Sequence, residues 1–468
     1  MSLDPKIFKA YDIRGVYPSQ LDEEGLASII KATYTFFKNK IQSDKPLTIA
    51  LGYDMRTSSP SLFPVARDTL VAMGAHVIDI GLISTPSFYF SVFNYGYDAG
   101  IQITASHNPK EYNGVKFVIN SPEGLIKIGK STGMDDVKAM ALEGKFIEPS
   151  EGGTVTEKRG ILDDEVSKAL SHLGNPSISK YKIVADTANA MGAQYIEALF
   201  QKVPADLVKM NFEFDGTFPV HPPDPLDFNN LVDLQKRVLE EKADFGLAPD
   251  GDGDRLFFID DLGEVVPASI ITGIITKEFL KKNPGATVLF DIRYILTPQK
   301  IVAENGGISE VTKVGHAFIT EAMHRTGAVF AGESSAHYFY KDTGNGENQL
   351  MTIVTVMKVM SQEGKKLSEL VEEYRRSFES TEFNFKVTNA PEILSKLKEK
   401  YSDGELSELD GVSFTYSDWR FNVRTSNTEP LLRLNVESYD KTKMEQKRDE
   451  IKEFIKSVAK EDTTLGHH

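Results

Sequence analysis

From Asp22 onward, apolar residues recur at Leu26, Ile29, Ile30, Tyr34 and Phe37, the spacing of one helix face. Residues 47–51 are apolar almost without a break, as in a strand buried on both sides, and helical spacing returns over 60–73. A second strand is expected at 76–80, giving a βαβ unit and hence a mostly parallel sheet. Apolar residues 99–103 and 113–119 then bracket a polar loop. The alternation restarts with a strand at 181–186 and a helix at 188–200. A second helix, capped by Asn229, carries Leu231, Leu234 and Leu239, and strands follow at 243–249 and 256–259. It restarts again near Gly263, with a helix over 267–281, strands at 287–292, 309–313 and 328–331, and a helix over 317–325. The last stretch differs: short alternating runs at 382–387, 412–416 and 432–436, with helices at 391–401 and 442–458, read as a small α+β domain with an antiparallel sheet.

A length of 468 residues suits three or four domains. The polar stretch 143–159, rich in Gly, Glu and Lys, marks the first boundary. We place the domains at 1–152, 153–260, 261–378 and 379–468. With 68 acidic against 53 basic side chains, the net charge of -15 disfavours nonspecific binding to nucleic acid or anionic membrane. No protein partner is implied. Zero cysteines exclude thiolate metal sites and cysteine nucleophiles. They suit a reducing compartment, no apolar run is long enough to span a bilayer, and a cytoplasmic location is expected.

Four loops carry candidate chemistry. Thr104-Ala-Ser-His-Asn-Pro109 displays Ser106 after a strand, where ligands of open α/β sheets gather. A serine hydroxyl needs a base, a metal or prior modification before it reacts. Asp250-Gly-Asp-Gly-Asp-Arg255 sets Asp250, Asp252 and Asp254 on one side of a tight loop, a hard-oxygen arrangement suited to Mg²⁺ or Ca²⁺. An EF-hand calcium loop is disfavoured, because its sixth position holds Arg255 where Gly is required and its twelfth holds Asp261 where Glu is required. Gly332-Glu-Ser-Ser-Ala-His337 presents Glu333, Ser335 and His337, short donors and acceptors able to bind hydroxyls. Arg424-Thr-Ser-Asn-Thr-Glu-Pro430 combines a guanidinium with Ser426, Asn427 and Thr428, donors matched to a phosphate. Arg14 beside Gly15 and His316 at a strand–helix junction have local readings of a solvated charge and a hydrogen-bonding residue.

In order, these four loops resemble the signature loops of the α-D-phosphohexomutase superfamily, above all its phosphomannomutase/phosphoglucomutase group, and the likeness runs from Phe8 to the phosphate loop. It implies three related doubly wound α/β domains and a smaller C-terminal α+β domain around a central cleft. It also implies Mg²⁺ held by the three aspartates with an oxygen of Ser106 or its phosphate. Phosphorylated Ser106 would give its phosphoryl group to a hexose phosphate, and the hexose 1,6-bisphosphate would turn over before the enzyme recovers the other phosphate. Lys116 resembles the family's acid/base lysine, with His107 orienting the loop and His316 a second candidate. Arg14 and Arg255 match arginines near the phosphoserine, and Tyr11 shares the opening motif. Glu333 and Ser335 would read sugar hydroxyls with His337 and Arg293 beside them, while Arg424, Ser426, Asn427 and Thr428 would grip the idle phosphate. A mobile fourth domain is expected. Ser334 departs from the Met of the mannose/glucose group and the Gln of glucosamine mutases, Ala336 stands for Gly, Arg293 for Lys, and residues 341–348 lack the usual paired aspartates. Mannose or glucose phosphates are the expected substrates, with glucosamine phosphates and a silent sugar-phosphate sensor as alternatives.

Overall fold

Successive residues of a strand face opposite ways, and in the first sheet both faces are apolar. Ile49 and Leu51 of the strand Thr48–Tyr53 enter one buried cluster and Ala50 another, so helices are required on both sides. In the computed structural model, which describes residues 3–425 and 431–460, Glu23–Ile41, Ser59–Ala72 and Met134–Glu143 cover one face. Thr85–Asn94 covers the other. The first helix begins where Asp22 accepts the Gly25 N–H at 2.8 Å. Glu23 and Glu24 in its first turn and Lys38 and Lys40 in its last suit the helix dipole.

The strands Thr48–Tyr53, His76–Leu82 and Ala99–Ile103 run parallel and Tyr112–Ser121 returns antiparallel, in the spatial order second, first, third, fourth. Tyr181–Asp186, Ala205–Met210, Phe245–Pro249 and Leu256–Ile259 repeat that order and those directions. So do Thr287–Asp291, Ile308–Thr312, Phe330–Gly332 and Tyr338–Tyr340. The serine, aspartate and Glu333–His337 loops each fill the reversal between third and fourth strands. One hairpin, used three times, therefore carries three different sets of side chains.

The first sheet runs past the boundary expected at residue 152, because Thr154–Glu157 pairs in parallel with His76–Leu82. All four of its residues are exposed, so it has no apolar face to distinguish it from a linker. The expected helix at 188–200 starts at Gly192, since Ala188 and Asn189 adopt positive φ of 50° and 59° and form a turn. Several elements lie outside the expected set, among them Met134–Glu143, Ile161–His172, Ala205–Met210 and Tyr338–Tyr340, and two others show why. Thr85–Asn94 is buried on nearly every side and lacks a polar stripe, while Trp419–Thr425 reads as polar because it carries Arg420, Asn422 and Arg424, all buried.

The second and third α/β units share one continuous core, in which Leu247 and Phe258 join Ile274, Phe330 and Met357. The C-terminal sheet is six-stranded and antiparallel, with its own core around Phe414, Trp419, Phe421 and Ile451. It is fastened to the third unit by a buried ion pair. Arg420 meets Glu437 at 2.6 Å and donates to the carbonyls of Ile292 and Arg293 at 2.9 and 3.0 Å, while Glu437 accepts the N–H groups of Ile295 and Leu296. No described helix is long and apolar enough to cross a membrane.

All three α/β units meet at Glu165. This buried carboxylate, on the helix Ile161–His172, accepts from Ser87 of the first unit at 2.5 Å and from Asn348 of the third at 3.4 Å. In the segment that lacks the paired aspartates usual in the family, Asn348 thus offers an amide to Glu165 where a carboxylate would repel it. Burial pushes the Glu165 carboxyl up to about 7. Protonation then favours the folded state by about 3 kcal/mol below the ordinary value of 4.5, and the gain is lost as pH rises through about 7. Glu165→Gln should flatten the fall in Tm across that interval in calorimetric melts. A variant with the wild-type slope would refute the assignment.

Candidate active site

The serine loop is held by a residue outside it. Arg56, fully buried, donates through Nη1 to the carbonyls of Pro109 and Tyr112 and through Nη2 to those of Ser106 and Asn108, at 2.7 to 2.9 Å. Its Nε pairs with Asp54 at 3.2 Å. Four carbonyls turned toward one guanidinium fix the loop's path, and Ser106 accommodates it with a positive φ of 54°. The Ser106 hydroxyl lies 3.2 Å from His107 Nδ1 and 3.4 Å from Asp250 Oδ2. Burial, with Arg255 and Arg14 nearby, lowers the His107 pKa well below its ordinary range, so this imidazole is neutral. Arg14 pairs with Asp12 at 2.7 Å and donates to Asn108.

The aspartate loop presses against this one. At Gly251 a Cβ would stand 2.4 Å from the Ser106 carbonyl oxygen, so only glycine permits the approach. Asp250, Asp252 and Asp254 are all buried, with ligand oxygens within 4.8 Å of one another. Lys116 bridges Asp252 and Asp254 at 2.6 Å each, Thr85 donates to Asp252 at 2.7 Å, and Arg255 Nε stands 3.9 Å from Asp250. Burial and the two neighbouring carboxylates raise the Asp250 pKa well above its usual range. Burial acts the same way on Asp254, but Lys116 and His337 outweigh it and bring that carboxyl well below. Lys116, despite burial, is held protonated by Asp252 and Asp254.

The residues fit a divalent cation. Asp252 Oδ1 is buried without a hydrogen-bond partner among the described residues, a condition that costs about 1–3 kcal/mol and that a bound cation removes. Asp254, His337 and Glu347 also approach one another, but Lys127 neutralises Glu347 from between the rings of Tyr89 and Phe339, and His337 is itself cationic.

His337 joins the third loop to the second, with Nε2 3.1 Å from Asp254 and Nδ1 3.0 Å from Ser335 and Glu333. Burial opposes its charge, yet Asp254 and Glu333 push its pKa up to about 9. Glu333 also accepts the Gly315 N–H at 2.8 Å, and Arg293 pairs with Asp291 at 2.9 Å and reaches Ser335 at 3.1 Å. Ser334 is turned to Asp291 through both its N–H and its hydroxyl. The structure places Tyr11 in docking: its hydroxyl donates to Val314 at 2.9 Å and its ring stands 5.2 Å from that of His316. Burial, with Lys127 and Lys116, keeps His316 neutral.

Arg424 is buried and pairs with Glu382 at 3.0 Å; Arg433 meets the same carboxylate at 3.2 Å. Burial would raise the Glu382 pKa, but Arg293, Arg424 and Arg433 together hold it below its ordinary value. Two guanidiniums of the C-terminal sheet thus share Glu382, with Arg293, itself paired with Asp291, close by. Ser426, Asn427 and Thr428 lie outside the described residues.

Family models match in sequence order. The α/β/α domains I, II and III of phosphoglucomutase/phosphomannomutase match residues 5–131, 165–263 and 268–377, and the family's C-terminal domain matches 382–454. The phosphomannomutase of Vibrio cholerae is 36% identical over 464 residues, covering 97% of this chain and 98% of that one. This chain belongs to the phosphoglucomutase/phosphomannomutase family. The phosphomannomutase of Methanocaldococcus jannaschii is 37% identical over 462 residues, 99% of each chain. Among solved structures, a phosphoglucomutase/phosphomannomutase family protein from Burkholderia thailandensis superposes with a TM-score of 0.85 at 28% identity, over 97% of this chain and 98% of that one. This family member is accordingly an enzyme of the phosphohexomutase class.

Sequence reasoning missed Arg56, Thr85 and Gln349, whose amide donates to the Asp254 carbonyl. Arg56 did leave a signal: Asp54-Met-Arg56 puts an acid and a base just past an apolar strand, as Asp291-Ile-Arg293 does in the third unit. Arg56→Lys, which keeps the charge but loses the fork, should lower kcat about 100-fold with KM changed less than about threefold. Arg56→Ala, leaving Asp54 buried and unpaired, should cost about 3–5 kcal/mol in urea unfolding. Wild-type kcat in Arg56→Lys would refute the pinning role.

Proposed function

We propose that this protein is a Mg²⁺-dependent phosphohexomutase interconverting the 1- and 6-phosphates of mannose, glucose or both, through phosphorylated Ser106 and a hexose 1,6-bisphosphate. The observation that carries the reading is the Ser106 hydroxyl 3.4 Å from Asp250, at a buried three-aspartate seat that retains an unpartnered oxygen. Mannose phosphates come first because the Vibrio and Methanocaldococcus relatives are named phosphomannomutases.

A Mg²⁺ bound at Asp250, Asp252 and Asp254 would offset the charge of the phosphoryl group during transfer. As the Oγ–P bond of phosphoserine breaks and an O–P bond to the sugar forms, the sugar hydroxyl would give its proton to a neutral imidazole, His107 or His316, and the serine oxygen gains charge. Lys116, protonated between two carboxylates, enters as an acid, and Arg14 and Arg255 supply positive charge beside the serine loop. Neutral His107, 3.2 Å from Oγ, orients the hydroxyl and can accept its proton. Neutral His316 is a second proton acceptor. Glu333, Ser335 and Arg293 would read the sugar, with Tyr11 keeping the 314–316 turn in place. Arg424, with Ser426, Asn427 and Thr428, would hold the idle phosphate, orienting substrate by binding at the unreacting end. The absence of cysteine suits a cytoplasmic enzyme.

Purified protein with Mg²⁺ and a trace of glucose 1,6-bisphosphate should convert mannose 1-phosphate and glucose 1-phosphate to their 6-phosphates. Intact mass should show one added phosphoryl group, absent in Ser106→Ala, which should lose at least about 1000-fold in kcat. Turnover of glucosamine phosphates alone would shift the substrate assignment. Full activity in Ser106→Ala would end the phosphoserine reading.

A further inference from the structure

Each α/β unit ends its first strand on a buried aspartate: Asp54 just past Thr48–Tyr53, Asp186 closing Tyr181–Asp186, and Asp291 closing Thr287–Asp291. In each, Oδ1 accepts the backbone N–H two residues on, from Arg56 at 3.1 Å, Ala188 at 3.0 Å and Arg293 at 2.8 Å. In the first and third units that next residue is an arginine, which pairs with the aspartate and reaches into the unit's working loop. In the second unit it is alanine, and the cation arrives from elsewhere. His221 sets Nε2 3.1 Å from Asp186 Oδ2 and Nδ1 2.9 Å from the carbonyl of Pro222. A carbonyl oxygen and a carboxylate have no proton to give, so both ring nitrogens must carry one. The ring that satisfies both partners is an imidazolium.

What this pair encloses is the backbone of the aspartate loop. The Gly251 N–H donates to the Pro223 carbonyl at 3.0 Å, and the Gly251 carbonyl accepts from Met191 at 3.1 Å. Asp224 faces Arg255 at 3.3 Å. Residues 222–224 follow His221 and residues 187–191 follow Asp186, so the His221–Asp186 contact closes a clamp on Gly251 from both sides. We propose that His221 is a positioning residue, seating the aspartate loop as Arg56 and Arg293 seat the other two, and that this seat alone loosens when its cation loses a proton. The charged groups facing the ring are acidic: Asp186 from the strand end, Asp233 from the helix Val232–Glu241, and Asp224, lining the same small cavity and paired with Arg255. Burial opposes the charge on His221, but Asp186, the Pro222 carbonyl and Asp233 outweigh it and raise its pKa above the ordinary 6.5. The clamp is therefore intact below the raised value and lost as pH climbs through it.

The inference rests on reading Asp250, Asp252 and Asp254 as a cation seat. Its test is Mg²⁺ binding by titration calorimetry between about pH 6 and 9, with the His221 Cε1–H resonance followed by NMR over the same range. His221→Gln, measured well below its own Tm, should bind Mg²⁺ about 10- to 100-fold more weakly, and His221→Lys, which stays charged, should flatten the pH dependence. Wild-type affinity should fall as the His221 resonance titrates, above 6.5. A wild-type protein that binds no Mg²⁺ overturns the cation seat and this inference together. Mg²⁺ affinity indifferent to His221→Gln, or a His221 resonance titrating at or below 6.5, overturns the clamp alone; the NMR arm decides even if the glutamine variant fails to fold.

Discussion

Three carboxylates buried on one short loop repel one another, and much of the architecture consists of the groups that compensate them. Lys116 and Thr85 come from the first unit, His337 from the third, and Arg255 with two backbone N–H groups from the loop itself. A charge in a low-dielectric interior is tolerated only when paired and hydrogen-bonded. The units therefore cannot separate without exposing or stranding ionised groups. The domain interfaces and the site are built from the same contacts.

The repeated hairpin makes this arrangement possible. Because the chain reverses at the same place in each unit, three loops with unrelated chemistry leave equivalent positions in their sheets and come into contact: Leu256 N–H to the Ala336 carbonyl at 3.0 Å, and Gly251 against Ser106. Each reversal is steadied from below by a cation paired with a strand-end aspartate. The serine loop relies on this most heavily, since three of its carbonyls and that of Tyr112 at the next strand's start point at Arg56, and a positive φ at Ser106 has to be held in place.

The working loops were legible in the sequence because their chemistry is local. Asp250-Gly-Asp-Gly-Asp254 brings three carboxylates together within five residues, and the strands before each loop are apolar enough to be found by pattern. The supports were not, because they join residues far apart in the chain: Thr85 to Asp252, Arg56 to Asn108, Glu165 to Asn348. Buried polar strands were equally opaque. Arg420, Asn422 and Arg424 read as a surface, yet Arg420 anchors the C-terminal sheet. Only the fold shows that Tyr11 spends its hydroxyl on Val314 and that the strand at 154–157 belongs to the first sheet.

Arg293 is gripped by two parts of the protein at once. Its carbonyl is held by Arg420 of the C-terminal sheet, while its guanidinium reaches Ser335 in the Glu333–His337 loop. Any displacement of that sheet would pull on the main chain at the very residue that braces the Glu333–His337 loop. The C-terminal sheet and the third loop are thus tied together through a single lever.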